Sequence, residues 1–190
     1  LPGLPDENPC LSLHPLTPSA IYYTSGSTGR PKGVVRDHHV QFDSAESYIR
    51  GYGIGPEDRL SLQVPLSVGM SDQQLFDALL SGASLHRPDA AQRPVSGPAL
   101  THWLAAERIT VYASTPTLFR ELSLDLPGAT SLPHLRLVWL TGEPVSRDDL
   151  SRFKALCHPG ARLVNSLGTV ESGDFSHYAM NHATVLDGPV

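Results

Sequence analysis

Short apolar segments alternate with amphipathic stretches of about ten residues along most of this 190-residue chain, and no other feature restricts its fold as strongly. The densest apolar segment, Leu135–Leu140, holds five large hydrophobic side chains in six positions. A segment that short and that apolar on both faces reads as a strand buried between two layers, the environment of a parallel sheet. Further strands are predicted at Ser19–Thr24, Arg59–Pro65, Ala83–His86, Thr110–Ala113 and Arg162–Leu167. Helical spacing is found over Val34–Tyr52, Met70–Leu80, Ala99–Glu107 and Arg147–Leu156, and a further helix begins at Thr117 after Pro116. Gly53-Ile54-Gly55-Pro56 and Ser81-Gly82 supply helix stops, and Ser146 is an N-cap. Asp89–Pro98 is a polar, proline-bearing loop. The expected fold is α/β in three layers, a mostly parallel sheet with helices on both faces. Residues 1–18, with five prolines, form an irregular lead-in, and residues 19–190 form the domain.

The loop after the first predicted strand carries the most chemical information. Between Tyr23 and Gly33 stand the hydroxyls of Thr24, Ser25, Ser27 and Thr28, the glycines Gly26, Gly29 and Gly33, and Lys32. Glycines let a backbone approach a ligand closely. Successive N–H groups in such a turn make an anion-binding concavity, to which hydroxyls add donors. Lys32 adds a mobile point charge suited to phosphate oxygens. A Walker loop is excluded by spacing: four residues after Gly26 comes Pro31-Lys32-Gly33, with neither the second glycine before the lysine nor a hydroxyl after it. A flexible linker is disfavoured by the apolar residues on both sides, Ala20-Ile21-Tyr22-Tyr23 and Val34-Val35.

In open α/β sheets ligands bind beyond the carboxyl ends of the strands. Three segments are expected there: the loop after Thr24, the turn Thr141-Gly142-Glu143-Pro144, and the turn Gly168-Thr169-Val170-Glu171. Other function classes recede. A formal charge of −5 argues against nucleic acid and anionic membrane partners. Cys10 and Cys157 are isolated and suit a reducing cytoplasm, and neither a membrane-length apolar stretch nor a signal peptide is present. His38-His39, His177 and His182 lack partners at zinc spacing.

The segment Tyr23 to Gly33 resembles, residue for residue, the signature loop of the adenylate-forming superfamily, which includes acyl-CoA synthetases, luciferases and nonribosomal peptide synthetase adenylation domains. Thr141-Gly142-Glu143-Pro144-Val145 is similar to that family's Gly-Gly-Glu-type turn. Asn165-Ser166-Leu167-Gly168-Thr169-Val170-Glu171 resembles its Asn-x-Tyr-Gly-x-Thr-Glu motif. The resemblance implies that Thr24 to Gly29 and Lys32 hold phosphates, and that Gly142, Glu143, Ser166, Leu167, Gly168 and Thr169 meet the nucleotide. It gives Glu171 the Mg²⁺ ligand role and makes Lys32 and Glu171 the catalytic pair. Two positions depart from the pattern: Leu167 replaces the aromatic that packs on adenine, and Val170 replaces a threonine that meets phosphate. Ser172 to Tyr178 is similar to a branch associated with hybrid peptide–polyketide synthetases, whose members also vary at the tyrosine.

Matching Leu79-Leu80-Ser81-Gly82-Ala83 to the family's first pocket segment places Gly69 where amino-acid-activating members carry an aspartate for the α-ammonium. Burying an ammonium without a counter-charge costs several kcal/mol. The resemblance therefore implies a carboxylic acid without a free α-amine, and Asp174 leaves open one with a more distant amine. Met70, Gln73, Ala113, Trp139, Thr141 and Ser166 complete the implied pocket with Gly69, and Asp174 and Phe175 extend it. The implied reaction forms acyl-AMP from the acid and MgATP, then transfers the acyl group to a carrier-protein phosphopantetheine thiol or to coenzyme A. Alternatives are a free-standing acyl-CoA synthetase and a noncatalytic adenylation domain serving as scaffold. The family's ribose-binding aspartate and late catalytic lysine have no counterpart before Val190, so the chain alone is expected to turn over little.

Overall fold

The computed structural model describes residues 3, 5, 7–24, 29–66, 68–89, 96–122 and 132–190. Its centre is a six-stranded sheet in the order β4-β3-β5-β6-β7-β8. The strands are β3 (Arg59–Ser61), β4 (Ser84–His86), β5 (Val111–Ser114), β6 (Leu137–Thr141), β7 (Arg162–Thr169) and β8 (Gly173–Met180). The pairs from β4 to β7 are parallel, and β8 closes the edge antiparallel to β7.

Strand alternation divides the apolar residues between two cores. Val111, Ala113, Leu137, Trp139 and Val164 face one side. They meet Tyr48 and Tyr52 from α1 (His38–Tyr52) and Ala78 from α2 (Gly69–Ser81). Tyr112, Val138, Leu140 and Leu163 face the other side. There they meet α3 (Gly97–Ala106), α4 (Pro116–Arg120) and α5 (Arg147–Leu156) through Leu100, Leu104, Phe119, Leu150 and Phe153. Each such side chain stabilises by about 1.5–3 kcal/mol when fully buried. The three-layer, mostly parallel expectation holds, and the unbroken apolar run of β6 is explained by its two covered faces.

Helix ends follow local chemistry. Asp37 caps α1 by accepting from the Val40 N–H at 2.9 Å, and Gly53 ends it in the left-handed region. Ser146 and Asp149 form a reciprocal capping box on α5. Asp149 also accepts two 2.8 Å bonds from Arg120, which ties α4 to α5. No helix among the described residues is long and apolar enough to cross a membrane.

Several predicted elements require correction. Val34 does not begin a helix: β1 (Pro18–Thr24) and β2 (Lys32–Asp37) form a separate antiparallel hairpin, and α1 starts only at His38. The β-branched pair Val34-Val35 suits the strand, and Asp37 is the helix-start signal that helical periodicity hid. The loop after Thr24 is therefore a hairpin loop, not the end of a parallel-sheet strand. β7 runs through Thr169, and the segment after its turn pairs back as β8. Edge strand β8 is mostly exposed, so it carries little of the apolar alternation by which strands are recognised. Arg59–Pro65 contributes only three strand residues. The expected loop at Asp89–Pro98 lies largely outside the described residues.

Candidate functional site

The connection from β3 through α2 leads to β4 on one side, whereas β5 pairs on the other side of β3. Such a reversal of strand order opens a crevice at the carboxyl ends of the strands. A cleft of about 290 Å³ lies there. Val68, Gly69, Met70 and Gln73 reach it from the segment after β3, Thr115 from the end of β5, and Thr141-Gly142 from the end of β6. Gly168, Thr169, Val170, Gly173 and Asp174 come from the β7–β8 turn, Ser44 and Tyr48 from α1, and Trp139 from β6. Arg36 completes the lining from the β1–β2 hairpin.

Three glycines shape the cleft for different reasons. Gly142 has φ +88 with open space around it, so its backbone conformation, not crowding, favours glycine. Gly168 is crowded: a Cβ would stand 2.2 Å from Asp174 Oδ1 and 2.7 Å from the Asp174 Cα. Gly168 and Asp174 are cross-strand partners beside a bulge, and only a missing side chain lets them approach this closely. Gly69 is neither: the nearest atom to its absent Cβ is Tyr22 Cδ1 at 4.0 Å. A side chain would fit there, and its absence leaves the cleft open.

A polar network backs the wall. Tyr48 donates to Asp174 Oδ2 and stands 3.3 Å from His177 Nε2, and the Tyr52 hydroxyl lies 2.7 Å from His177 Nδ1. Burial and the Asp174 carboxylate push the Tyr48 phenol far above its ordinary value, and the Tyr52 phenol up to about 12. Trp139 packs on Tyr48, with ring centroids 4.4 Å apart, and donates to Ser166 Oγ at 2.7 Å. On α2, Gln73 donates to Asp77 at 2.7 Å and accepts from Ser44 Oγ at 2.7 Å. Burial lifts the Asp77 carboxyl to about 8, against the pull of the Gln73 bond.

Arg36 is a site residue that sequence inspection missed. It donates to the Val170 carbonyl at 3.2 and 2.9 Å and lies over the Tyr22 ring at 5.3 Å. The hairpin is thereby docked onto the β7–β8 turn. Tyr22 and Gln41 in turn donate to Asp72 of α2. A lone arginine at the end of a β-branched pair gives no local signal of a partner 134 positions away.

The structure gathers Gly69, Met70, Gln73, Trp139, Thr141, Gly142, Gly168, Thr169 and Asp174 into one cleft. Ala113 and Ser166 are buried beside it and do not line it. Leu167 is 61% exposed, pointing opposite to Ser166 along β7. The Glu143 carboxylate turns to α4, accepting from Thr117 at 2.7 Å with Arg120 3.6 Å away. The Thr169 hydroxyl is held within its own turn, 2.9 Å from Ser172 Oγ. Thr24 and Lys32 face each other as the last and first paired residues of β1 and β2, and Gly29 has φ +77 in the hairpin loop. Ser25, Gly26, Ser27 and Thr28 lie outside the described residues.

Glu171 is exposed in the β7–β8 turn. Mg²⁺ at nucleotide sites takes one or two carboxylates and fills its other positions with water and phosphate oxygens. A single accessible carboxylate beside the cleft fits that donor set. A dedicated cage does not exist among the described residues, which contain no group of three metal-ligating side chains.

The profile of the AMP-binding enzyme family matches residues 4–188. The chain is 32% identical over 172 residues to tyrocidine synthase 3 of Brevibacillus parabrevis, covering 90% of this chain and 3% of that protein. It is 34% identical over 161 residues to the hybrid PKS-NRPS synthetase buaA of Petromyces alliaceus, covering 82% of this chain and 4% of the other. Among solved structures, the nonribosomal peptide synthetase FmoA3 in its alpha-methyl-L-serine-AMP bound form superposes with a TM-score of 0.78 at 27% identity. That match covers 90% of this chain and 19% of FmoA3. The chain thus spans only a small part of the length of these relatives.

Proposed function

This chain belongs to the AMP-binding enzyme family, and from that premise we propose that it forms the core of a site that activates a carboxylic acid as acyl-AMP. The observation that carries this reading is the convergence of Gly142, Gly168 and Thr169 on the carboxyl ends of the strands, with the Thr24–Lys32 hairpin docked beside them through Arg36. In the proposed reaction a carboxylate oxygen of the acid bonds to the α-phosphorus of ATP while the bond to pyrophosphate breaks. Little covalent chemistry falls to the protein, so its residues act by alignment and charge neutralisation.

Lys32 and the hydroxyls of Thr24 to Thr28 would hold the β- and γ-phosphates as pyrophosphate departs. Gly142 and Gly168 would allow the nucleotide to approach the backbone. Glu171 would hold Mg²⁺, which when bound supplies charge neutralisation at the phosphate oxygens. The Arg36 bond to the Val170 carbonyl would fix the turn whose backbone meets the nucleotide. Gly69 leaves no counter-charge for an α-ammonium, so the acid is one without a free α-amine. The acyl group would pass to a phosphopantetheine thiol on a carrier domain or to coenzyme A.

ATP–pyrophosphate exchange of the intact protein across a panel of keto, hydroxy, aryl, short acyl and amino acids tests this. Exchange driven by an acid lacking an α-amine supports it. Preference for ordinary L-amino acids would remove the Gly69 inference, and no exchange with any acid would remove adenylation. One observation favours a second reading, a noncatalytic scaffold: Leu167 supplies no ring, and position 170 supplies no hydroxyl. Absence of MgATP binding by calorimetry would support that alternative.

A further inference from the structure

On the wall of the cleft the side-chain hydrogens of Ser44, Thr141, Trp139 and Tyr48 point back into the protein. Ser44 gives its proton to Gln73 Oε1 at 2.7 Å, because the Gln73 amide nitrogen is directed to the buried Asp77 at 2.7 Å. Thr141 gives its proton to the Ser166 carbonyl at 3.2 Å. The Trp139 N–H is spent on Ser166 Oγ, and the Tyr48 proton on Asp174 Oδ2. What remains on Ser44 and Thr141 is lone pairs. Ser44 and Tyr48 stand one turn apart on the same face of α1, which places the Ser44 oxygen on the same wall as the carboxylate that Tyr48 holds.

Asp174 is the acid of that wall, with its side chain 18% exposed. Its Oδ2 ends a chain of donors. Tyr52 donates to His177 Nδ1, His177 Nε2–H points to the Tyr48 oxygen, and Tyr48 donates to Asp174. This direction assigns His177 the Nε2–H tautomer, the one that leaves every member satisfied. Oδ1 lies over Gly168 and receives no bond from a described residue. No described Lys or Arg lies within 4.0 Å of this carboxylate, and His177 at 3.9 Å is its one basic neighbour among the described residues. Arg36, the cation of the cleft, is committed to the Val170 carbonyl and the Tyr22 ring. A partly buried carboxylate among acceptors calls for a cation with several donors.

We propose that the cleft takes an acid carrying a protonated amine away from its α-carbon, with Asp174 as the counter-charge and Ser44 and Thr141 as neutral acceptors. This rests on the acid-activation reading for the carboxylate end but not for the amine end. Tyr48 acts as a positioning residue, holding one oxygen of Asp174 so that the other faces the ligand.

The test compares near-isosteric pairs on the intact protein: 3-aminobutanoate with 3-methylbutanoate, 4-aminobutanoate with pentanoate, and 3-(aminomethyl)benzoate with 3-ethylbenzoate. Each pair is measured by ATP–pyrophosphate exchange and by saturation-transfer NMR binding. The proposal expects the aminated member to be preferred at least about tenfold in at least one pair, and that ratio to fall at least about tenfold in D174N. Y48F should raise KM for the aminated acid more than it lowers kcat. Preference for the uncharged members, or a ratio unchanged in D174N with native circular dichroism, would overturn it. If no acid drives exchange, acid activation fails and binding decides the amine site. Asp174-dependent binding of an aminated member then upholds it, and its absence overturns it.

Discussion

Replacing Asp77 with asparagine should make the protein more stable, and increasingly so as pH rises. Asp77 sits on the core face of α2 at 2% exposure, and its partner is the Gln73 amide at 2.7 Å. Burial raises its carboxyl from the ordinary 3.8 to about 8, since one neutral donor does not replace the water a carboxylate loses. The folded state therefore keeps a proton that the unfolded chain releases above about pH 4. Stability is full below the unfolded value, falls by up to about 1.4 kcal/mol per pH unit, and levels off above about pH 8. The two plateaus differ by on the order of 5 kcal/mol. Asparagine keeps the shape and an oxygen acceptor for Gln73 and never ionises. Urea denaturation followed by the fluorescence of Trp103 and Trp139 would give both stabilities from pH 4 to pH 9. Acids common to both proteins cancel in the difference. That difference should be near zero at pH 4 and should grow to several kcal/mol in favour of D77N by pH 8. A difference constant with pH would refute the buried, proton-retaining carboxyl.

Gly168→Ala should cost about 1–3 kcal/mol, because its methyl meets Asp174 backbone as well as side chain; denaturation melts would show it, and an unchanged stability would contradict the bulge geometry. Asp58 accepts from Arg136 twice, at 2.7 and 2.6 Å, and from Thr110 and the Gly55 N–H. Burial works to raise its carboxyl, and these donors overcome that and hold it below the ordinary range. Asp58→Ala should cost about 3 kcal/mol above pH 5, and the cost should shrink as acid protonates Asp58 in the wild type below the ordinary carboxylate value. Gly69→Asp should be tolerated, since a side chain there meets open space at the start of α2, and it should shift exchange toward α-amino acids. Lys32→Ala should slow ATP–pyrophosphate exchange at least about tenfold, and unchanged kinetics would remove Lys32 from the phosphate step.

Much of the architecture is legible in the chain because its causes are local. Leu135 to Leu140 is apolar on both faces, and its Leu137 to Leu140 do lie between two helical layers in β6. Ser146 and Asp149 carry the whole start of α5 within four residues. The strand-end turns at Gly142 and Gly168 could be placed at one rim because parallel strands align their carboxyl ends. What failed were segments whose state depends on a partner. Val34 to Asp37 reads as the start of the helix that follows and becomes part of a strand only by pairing with β1. Gly173 to Met180 becomes a strand only by lying against β7.

The site divides in the same way. The sequence by itself determined which side chains could bind phosphate or an acid, since glycines, hydroxyls and Lys32 carry that chemistry wherever they stand. It also determined the parallel sheet that sets a rim for them. Only the tertiary structure decided how they are used. It turned Glu143 away to α4, left Glu171 accessible, brought Arg36 to Val170 across 134 positions and Tyr48 to Asp174 across 126. Periodicity records that a residue is buried, not what it is buried against. A hydrogen bond between distant residues leaves no trace in the spacing of either, so the polar wiring of the cleft appears only once the strands have fixed who stands beside whom.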